Sequence, residues 1–286
     1  MGTTKSGVRL PLHITISTLF IGLIVLLGVV LTYQSYMKSS RIILSSAAEL
    51  HEKISEEVRL DFRATYRPVV GSLQLLALSS VARADSKAER LQELPLLTAA
   101  LSEVEAVSGI QLGYPNGDYF IVRPLRTEHM RKQFAAPAKA HFVADHIETT
   151  ASTERQLSRM FFDAELGLVQ KDAPVPTGYD PRKRPWYIEA QASPVATQPY
   201  LFHFIRKVGT TVAVRTSEKG VVIAGDVSLD QFSDTMAGYR ITPDSEAVII
   251  GSDGRVLAYH DGARVIESTG DNQLDFAHIS GLESPV

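Results

Sequence analysis

Cysteine is absent from all 286 residues. That excludes disulfides, thiolate metal ligands and a cysteine nucleophile. It also suits a domain that folds in an oxidising compartment without mispairing. A dominant charge is lacking too: 29 Lys and Arg against 32 Asp and Glu give a net charge of -3, and the pI is 6.3. No long basic run stands out, so nucleic acid is not an expected partner. The common catalytic signatures are missing: there is no G-x-S-x-G, no H-E-x-x-H and no phosphate-binding glycine loop. The reading is therefore of a chain without catalytic residues, cofactor or metal. His260-Asp261 is a His-Asp pair of the kind metal phosphohydrolases use, but it stands alone after an expected strand and reads as a strand end entering a turn. His129, His141, His146 and His203 are scattered, with no ligand spacing among them.

What is present begins with one long apolar run. The mean hydropathy of +0.01 conceals residues 14–31, ITISTLFIGLIVLLGVVL, which carry no charge. Extended from Leu12 to Tyr33, the run reaches the roughly 20 residues that a bilayer-spanning helix needs. Tyr33 and Tyr36 sit where aromatic interface anchors belong, and His13 lies at the entry edge. A cleaved signal peptide would have a shorter core, about 7–15 residues, and a small-x-small site after it. The following TYQSYMKSS fits that poorly, so an uncleaved anchor is expected. Lys5 and Arg9 before the run and Lys38 and Arg41 after it balance each other. The short tail, residues 1–11, is expected in the cytoplasm, and the large remainder outside it.

Beyond the anchor, Ile43, Ala47, Leu50, Ile54, Val58, Phe62, Tyr66, Val69, Leu73 and Leu76 recur at spacings of three and four. This predicts a long helix with one apolar face. Pro68 is expected to kink or end its first segment. A second helix is expected over Leu94–Val107. The period then changes to that of strands. GIQLGYPNGDYFIVRP predicts a hairpin, Ile110–Tyr114 and Tyr119–Val122, turning at Asn116-Gly117. Strands follow at His141–Ile147 and Gln156–Val169, then a short helix in WYIEAQA, then strands at Tyr200–Arg206, Thr210–Thr216 and Val221–Val227. Ser228 and Gln231 form a capping-box pattern ahead of a helix over Leu229–Ala237. EAVIIGSDGRVLAYHD then repeats the strand–turn–strand pattern, with Asp253-Gly254 at the turn. Two related modules in tandem are expected, the second too short to finish before Val286.

The segment that concentrates chemistry is Gly178-Tyr179-Asp180-Pro181-Arg182-Lys183-Arg184-Pro185-Trp186-Tyr187, which holds the one tryptophan. Two readings are open. An Arg beside Trp and Tyr can grip a carboxylate with a forked hydrogen bond between apolar ring walls. Alternatively this is a structural turn, with Trp186 in the core and Arg182, Lys183 and Arg184 facing water.

D-P-R-x-R-P-W-Y, followed by a strand pair and V-I-A-G-D-V-S-L, resembles the double Cache family of extracytoplasmic, PAS-like sensors of bacterial transmembrane receptors. The likeness runs over nearly the whole chain after the tail. It implies an α+β fold: a transmembrane helix (12–33), a long helix with a membrane-distal Cache module (34–240), and the start of a membrane-proximal module (241–286). It implies a small-molecule ligand, an inner-membrane location with the main domain periplasmic or extracellular, and a homodimer through the long helix. Amino-acid sensors of this family show a pattern that Tyr179, Arg184, Trp186, Tyr187, Tyr200 and Asp226 match. The implied roles put Arg184 and Trp186 on a ligand carboxylate and Tyr187, Tyr200 and Asp226 around its ammonium. The chain departs from the pattern at Phe202, where amino-acid sensors often carry a second acid. The other reading of the same resemblance is the non-catalytic sensory half of a membrane nucleotide cyclase or cyclic-dinucleotide phosphodiesterase.

Overall fold

The computed structural model describes residues 11–150, 154–202, 204, 205, 207–229, 233, 246, 248–269 and 273–282. The fold is α+β. Helix α1 spans Leu12–Leu78, 67 residues, and contains the charge-free run; an 18-residue window within it reaches a mean hydropathy of 2.7. By length and composition it can cross a membrane. The chain divides into two compact units, Met1–Asp61 and Phe62–Val286, and the division falls inside this helix. In the first unit the large apolar side chains of residues 19–31 are exposed, as are Ile42, Ile43 and Leu44.

In the second unit the helix buries Val69, Leu73 and Leu76. Pro68 does not end it. A proline inside a helix removes one hydrogen bond and costs about 3 kcal/mol, but burial of these three side chains just beyond it outweighs that loss. Ser79 closes the helix, donating from both its amide and its hydroxyl to Leu76 O. Helix α2 (Lys87–Gln92) starts at Ser86, whose hydroxyl accepts from Glu89 N. Helix α3 covers Leu94–Glu103. It is shorter than the expected Leu94–Val107, because Val107 already pairs in the sheet. Arg126 satisfies the chain leaving α3, donating to Leu101 O, Glu105 O and Val107 O.

The main sheet is antiparallel. Its strands are β1 (Val107–Gly113), β2 (Tyr119–Pro124), β3 (Phe142–Thr149), β4 (Arg155–Phe162), β5 (Leu168–Lys171), β6 (Val175–Pro176), β7 (Val195–Ala196), β8 (Tyr200–Leu201), β9 (Val208–Arg215) and β10 (Val222–Ser228). Helix α4 (Glu128–Gln133) follows β2, and α5 (Pro185–Ile188) follows β6. The order across the sheet is β5-β4-β3-β2-β1-β10-β9-β7, with β6 beside β4 and β8 beside β9. The β1–β2 hairpin turns where expected, and Gly117 adopts φ +89°, a conformation that only glycine takes without strain. The expected strand Gln156–Val169 is two strands: Asp163 accepts from the amides of Glu165 and Gly167 and folds a tight turn between them. Of the expected strand Tyr200–Arg206, the described residues form the two-residue β8, and residues 203 and 206 lie outside the described ones.

The two faces of the sheet differ. One carries Ile110, Leu112, Phe120, Val122, Ala144, Val212, Val214 and Ile223 against Val69, Leu73 and Leu76 of α1 and Leu97 and Leu101 of α3. A buried polar group sits at its margin. Arg90 lies 3.7 Å over the Tyr114 ring and donates to Asp118 at 3.0 Å and to His146 Nε2 at 2.9 Å. Burial, and then the Arg90 charge, push the His146 imidazole down to about 3. The ring is thus neutral and accepts from Arg90. The opposite face carries the candidate site.

After the main sheet, β11 (Val248–Ile250) and β12 (Val256–Tyr259) form the expected second hairpin, with Gly254 at φ +80°. His260 and Asp261 follow β12 and enter a 3-10 turn at Gly262–Val265. A further antiparallel pair, β13 (Ile266–Thr269) and β14 (Gln273–Phe276), comes next. Most of the expected helix Leu229–Ala237, with Gln231 of its capping box, lies outside the described residues, as do His203 and the tail through residue 10.

Leu73 is fully buried between helix and sheet. Leu73→Ala is expected to destabilise the second unit by about 2–5 kcal/mol, the usual cost of a large-to-small core change. Thermal melting of the full chain in detergent should show a lowered midpoint; an unchanged midpoint would mean that α1 is not packed as described.

Candidate functional site

The site grows from the Pro-rich segment between β6 and β7. Asp180 folds it locally. Its carboxylate accepts from Arg182 N, binds the Arg182 guanidinium at 2.9–3.0 Å, and pairs with Arg155 at 3.2 Å. Those hydrogen bonds, with Arg182 first, hold the Asp180 carboxyl below the usual range. Arg182 and Lys183 face water, so the structural-turn reading is right for them. Pro185 then starts the single turn of α5, with its fixed φ suited to a first helical position. That turn drives Trp186 and Tyr187 against the sheet. They approach so closely that a Cβ on Gly113 would lie 2.7 Å from each ring.

The structure brings five of the six expected residues to one cavity. Tyr179, Arg184, Trp186, Tyr200 and Asp226 line it, with Gln111, Tyr119, Arg123, Phe202, Phe204 and Ile205. Tyr187 does not line it. Its ring packs under the Arg215 guanidinium at 4.8 Å, and its carbonyl accepts from Arg215 at 2.6 Å. Its place is structural, because successive residues of the α5 turn point to different sides.

Asp226 is the buried acid at the centre. Gln111 Nε2 donates to it at 2.6 Å and Thr211 Oγ1 at 2.7 Å. Both donors are held in turn: Tyr119 donates to Gln111 Oε1 at 2.8 Å, and Tyr200 shares a 2.7 Å bond with Thr211. Burial dominates the Asp226 carboxyl and pushes it up to about 6, against the Thr211 bond and the charge of Arg123. Burial also raises the Tyr179 phenol to about 12 and the Tyr119 and Tyr200 phenols well above their ordinary value, so all three are neutral hydrogen-bonding groups.

Arg184 is half-buried across the cavity, 6.0 Å from the Tyr179 ring centre and 5.8 Å from that of Tyr200. No carboxylate lies within ion-pair distance of it among the described residues. Phe202 and Phe204 form an aromatic wall; Phe204 sits 6.3 Å from Tyr119 and 5.2 Å from Tyr179. The enclosed space is only about 20 Å³, room for roughly one water.

Gln111, Tyr119, Arg123 and Thr211 are site residues that the sequence reading missed. Gln111, Tyr119 and Thr211 lie in strands expected for other reasons, and Arg123 lies one residue past the expected Tyr119–Val122. The available signal was polarity inside apolar strands: Gln111 in GIQLG and Arg123 in YFIVRP are buried where alternation alone would put them on a wet face.

The raised Asp226 pKa has a stability consequence. Below about pH 4 the group is protonated folded and unfolded. Between about 4 and 6 the folded chain keeps the proton that the unfolded chain loses, so this contribution to stability falls as pH rises through that window and is flat above it. Asp226→Asn is expected to remove the slope and to raise ligand-free stability at pH 7.5, on the order of 2–3 kcal/mol. Melting curves from pH 4 to 8 check this; a variant that melts lower than the parent at pH 7.5 would contradict the assignment.

No family model matches the chain. Adenylate cyclase 1 of Rhizobium meliloti is 28% identical over 190 residues, 64% of this chain and 28% of the cyclase. The methyl-accepting chemotaxis protein McpG of Pseudomonas putida is 30% identical over 105 residues, 36% of this chain and 17% of that protein. The chain thus matches under a third of the length of either. Among solved structures, the ligand-binding domain of the Campylobacter jejuni chemoreceptor Tlp3 with 4-methylisoleucine overlays at TM-score 0.47 and 14% identity, covering 77% of this chain and 70% of that one. The ligand-binding domain of the Pseudomonas aeruginosa chemoreceptor PctB with L-Gln overlays at 0.42 and 19%, covering 75% and 67%. The chain is similar in sequence to methyl-accepting chemotaxis proteins and to a cyclase, and the double Cache resemblance read from residues 180–187 and 222–229 stands.

Proposed function

We propose that this chain is the sensory part of a membrane receptor: α1 anchors it, and the main sheet, outside the cytoplasm, binds a small solute carrying a carboxylate, an amine or both. The observation that carries the reading is the pairing of Arg184, without a carboxylate partner among the described residues, with Asp226, a desolvated acid, on one aromatic-walled cavity. Charged groups lose solvation in such a place and are expected to meet a partner there. A zwitterion answers both, so amino acids rank above plain carboxylates or amines. At about 20 Å³ the space must widen to take an amino acid. One helix, α1, carries both the residues packed on the sheet and the charge-free run, which supports a mechanical route from ligand to membrane. The first unit's exposed apolar side chains at Ile42, Ile43 and Leu44 support dimerisation along the helix.

A second reading concerns the output. The match to a protein named as an adenylate cyclase is longer than that to McpG, 190 residues against 105. It supports a cyclase rather than a chemotaxis output for the whole protein, with this chain as its non-catalytic sensory half. The sequence of the uninterrupted gene decides between them.

Arg184→Ala is expected to weaken binding of an amino acid by on the order of 2–5 kcal/mol, by analogy with buried charge-assisted pairs. Asp226→Asn should weaken amine-bearing ligands far more than plain carboxylates. Calorimetry on the full chain in detergent reads both; a ligand indifferent to both changes would return the motif to a purely structural role. The cysteine-free sequence also permits a topology test. Single cysteines placed between Ile43 and Ile54 should react with a membrane-impermeant thiol reagent from outside the cell and crosslink with a helical period. Labelling only after cell lysis would overturn the topology, and uniform absence of crosslinks would overturn the dimer.

A further inference from the structure

Arg123 is the cavity group that the proposed zwitterion leaves unused. It is 3% exposed, it lines the same space as Arg184 and Asp226, and its guanidinium stacks 4.8 Å from the Phe204 ring. Its single described hydrogen bond runs from Nη1 to Asp145 Oδ2 at 3.0 Å. Four of the five N–H donors of this buried side chain therefore take no partner among the described residues. Asp145 cannot neutralise it fully, because Arg159 grips the same carboxylate in a fork, Nε to Oδ1 at 2.7 Å and Nη2 to Oδ2 at 3.1 Å. Asp145 itself is fully buried.

The charges around the cavity follow. Arg159 lies behind Asp145, partly exposed and also under the charge of Asp172, so the charged groups that line the space itself are Arg123, Arg184 and Asp226. The wall at residue 202 is a phenyl ring and adds none. A neutral zwitterion pairs Arg184 and Asp226 and leaves the remaining donors of Arg123 without an anion. A ligand with one net negative charge supplies it.

We propose that Arg123 is a second anion-recognition point, and that the ligand class is amino acids whose side chain carries a carboxylate. The main-chain carboxylate faces Arg184, the ammonium faces Asp226, and the side-chain carboxylate takes the free donors of Arg123. Asp145 and Arg159 act behind it as positioning residues. This rests on the reading of the cavity as an amino-acid site.

The test is calorimetric titration of the full chain in detergent with L-glutamate and its near-isostere L-glutamine, then L-aspartate and L-asparagine. The wild type should bind each acid at least tenfold more tightly than its amide. Arg123→Gln should bring the ratio close to one, and Arg123→Lys should keep part of the preference. Should Arg123→Gln fail to melt cooperatively, the wild-type ratio and the lysine variant decide. Equal affinity for acid and amide in the wild type overturns this proposal alone, provided that binding still depends on Arg184. So does a folded Arg123→Gln that loses acids and amides alike. If no amino acid binds the wild type, the amino-acid reading of the site fails, and this inference with it.

Discussion

Two carboxylates, Asp226 and Asp145, are buried on one face of the sheet, and the site is organised around the cost of keeping them there. A charge taken out of water is tolerated only with hydrogen bonds or an opposite charge close by. Each acid meets the requirement differently. Asp145 has two guanidiniums in direct contact. Asp226 has only the neutral donors Gln111 and Thr211, so its carboxyl stays raised, to about 6. The difference separates a structural acid from a responsive one. Asp145 has little to gain from a ligand, whereas Asp226 gains the countercharge it lacks.

The aromatic side chains set the scale of that effect. Tyr119, Tyr179, Trp186, Phe202 and Phe204 line the space beside the charges and leave little room for water, the competing source of solvation. Their own polar atoms are used inward: the Tyr119 and Tyr200 hydroxyls hold the two groups that hold Asp226. A change at either tyrosine is therefore felt at the acid without direct contact. On the other face of the sheet the large side chains of α1 and α3 pack together, and Arg90 is held there by Asp118 and His146. The sheet thus has one face for packing and one for chemistry.

Much of this was legible in the sequence where local rules decide. Asn116-Gly117 and Asp253-Gly254 marked turns because a positive φ needs glycine. WYIEAQA marked a short helix, though α5 is the single turn Pro185–Ile188, and the charge-free run marked a helix fit to span a membrane. Reasoning failed where tertiary contacts decide. Strands β1, β2 and β10 are buried on both faces, so alternation no longer tells inside from outside, and Gln111 and Arg123 passed as ordinary strand residues. The single expected strand over Gln156–Val169 concealed a turn made by the Asp163 side chain. Pro68 does not end α1 because its local cost is small beside the burial of Val69, Leu73 and Leu76. Tyr187 was placed in the pocket by its neighbour's company, whereas the geometry of one helical turn sends it to Arg215.

The ionisation of Asp226 tests the central claim most directly. Carboxyl-carbon NMR of the full chain, labelled at aspartate and assigned with Asp226→Asn, gives its pKa with and without a saturating amino acid. The account predicts a value near 6 in the free chain and a clear fall on binding, as the ligand's ammonium supplies the missing countercharge. A bound ligand that leaves the Asp226 titration where it was would contradict it.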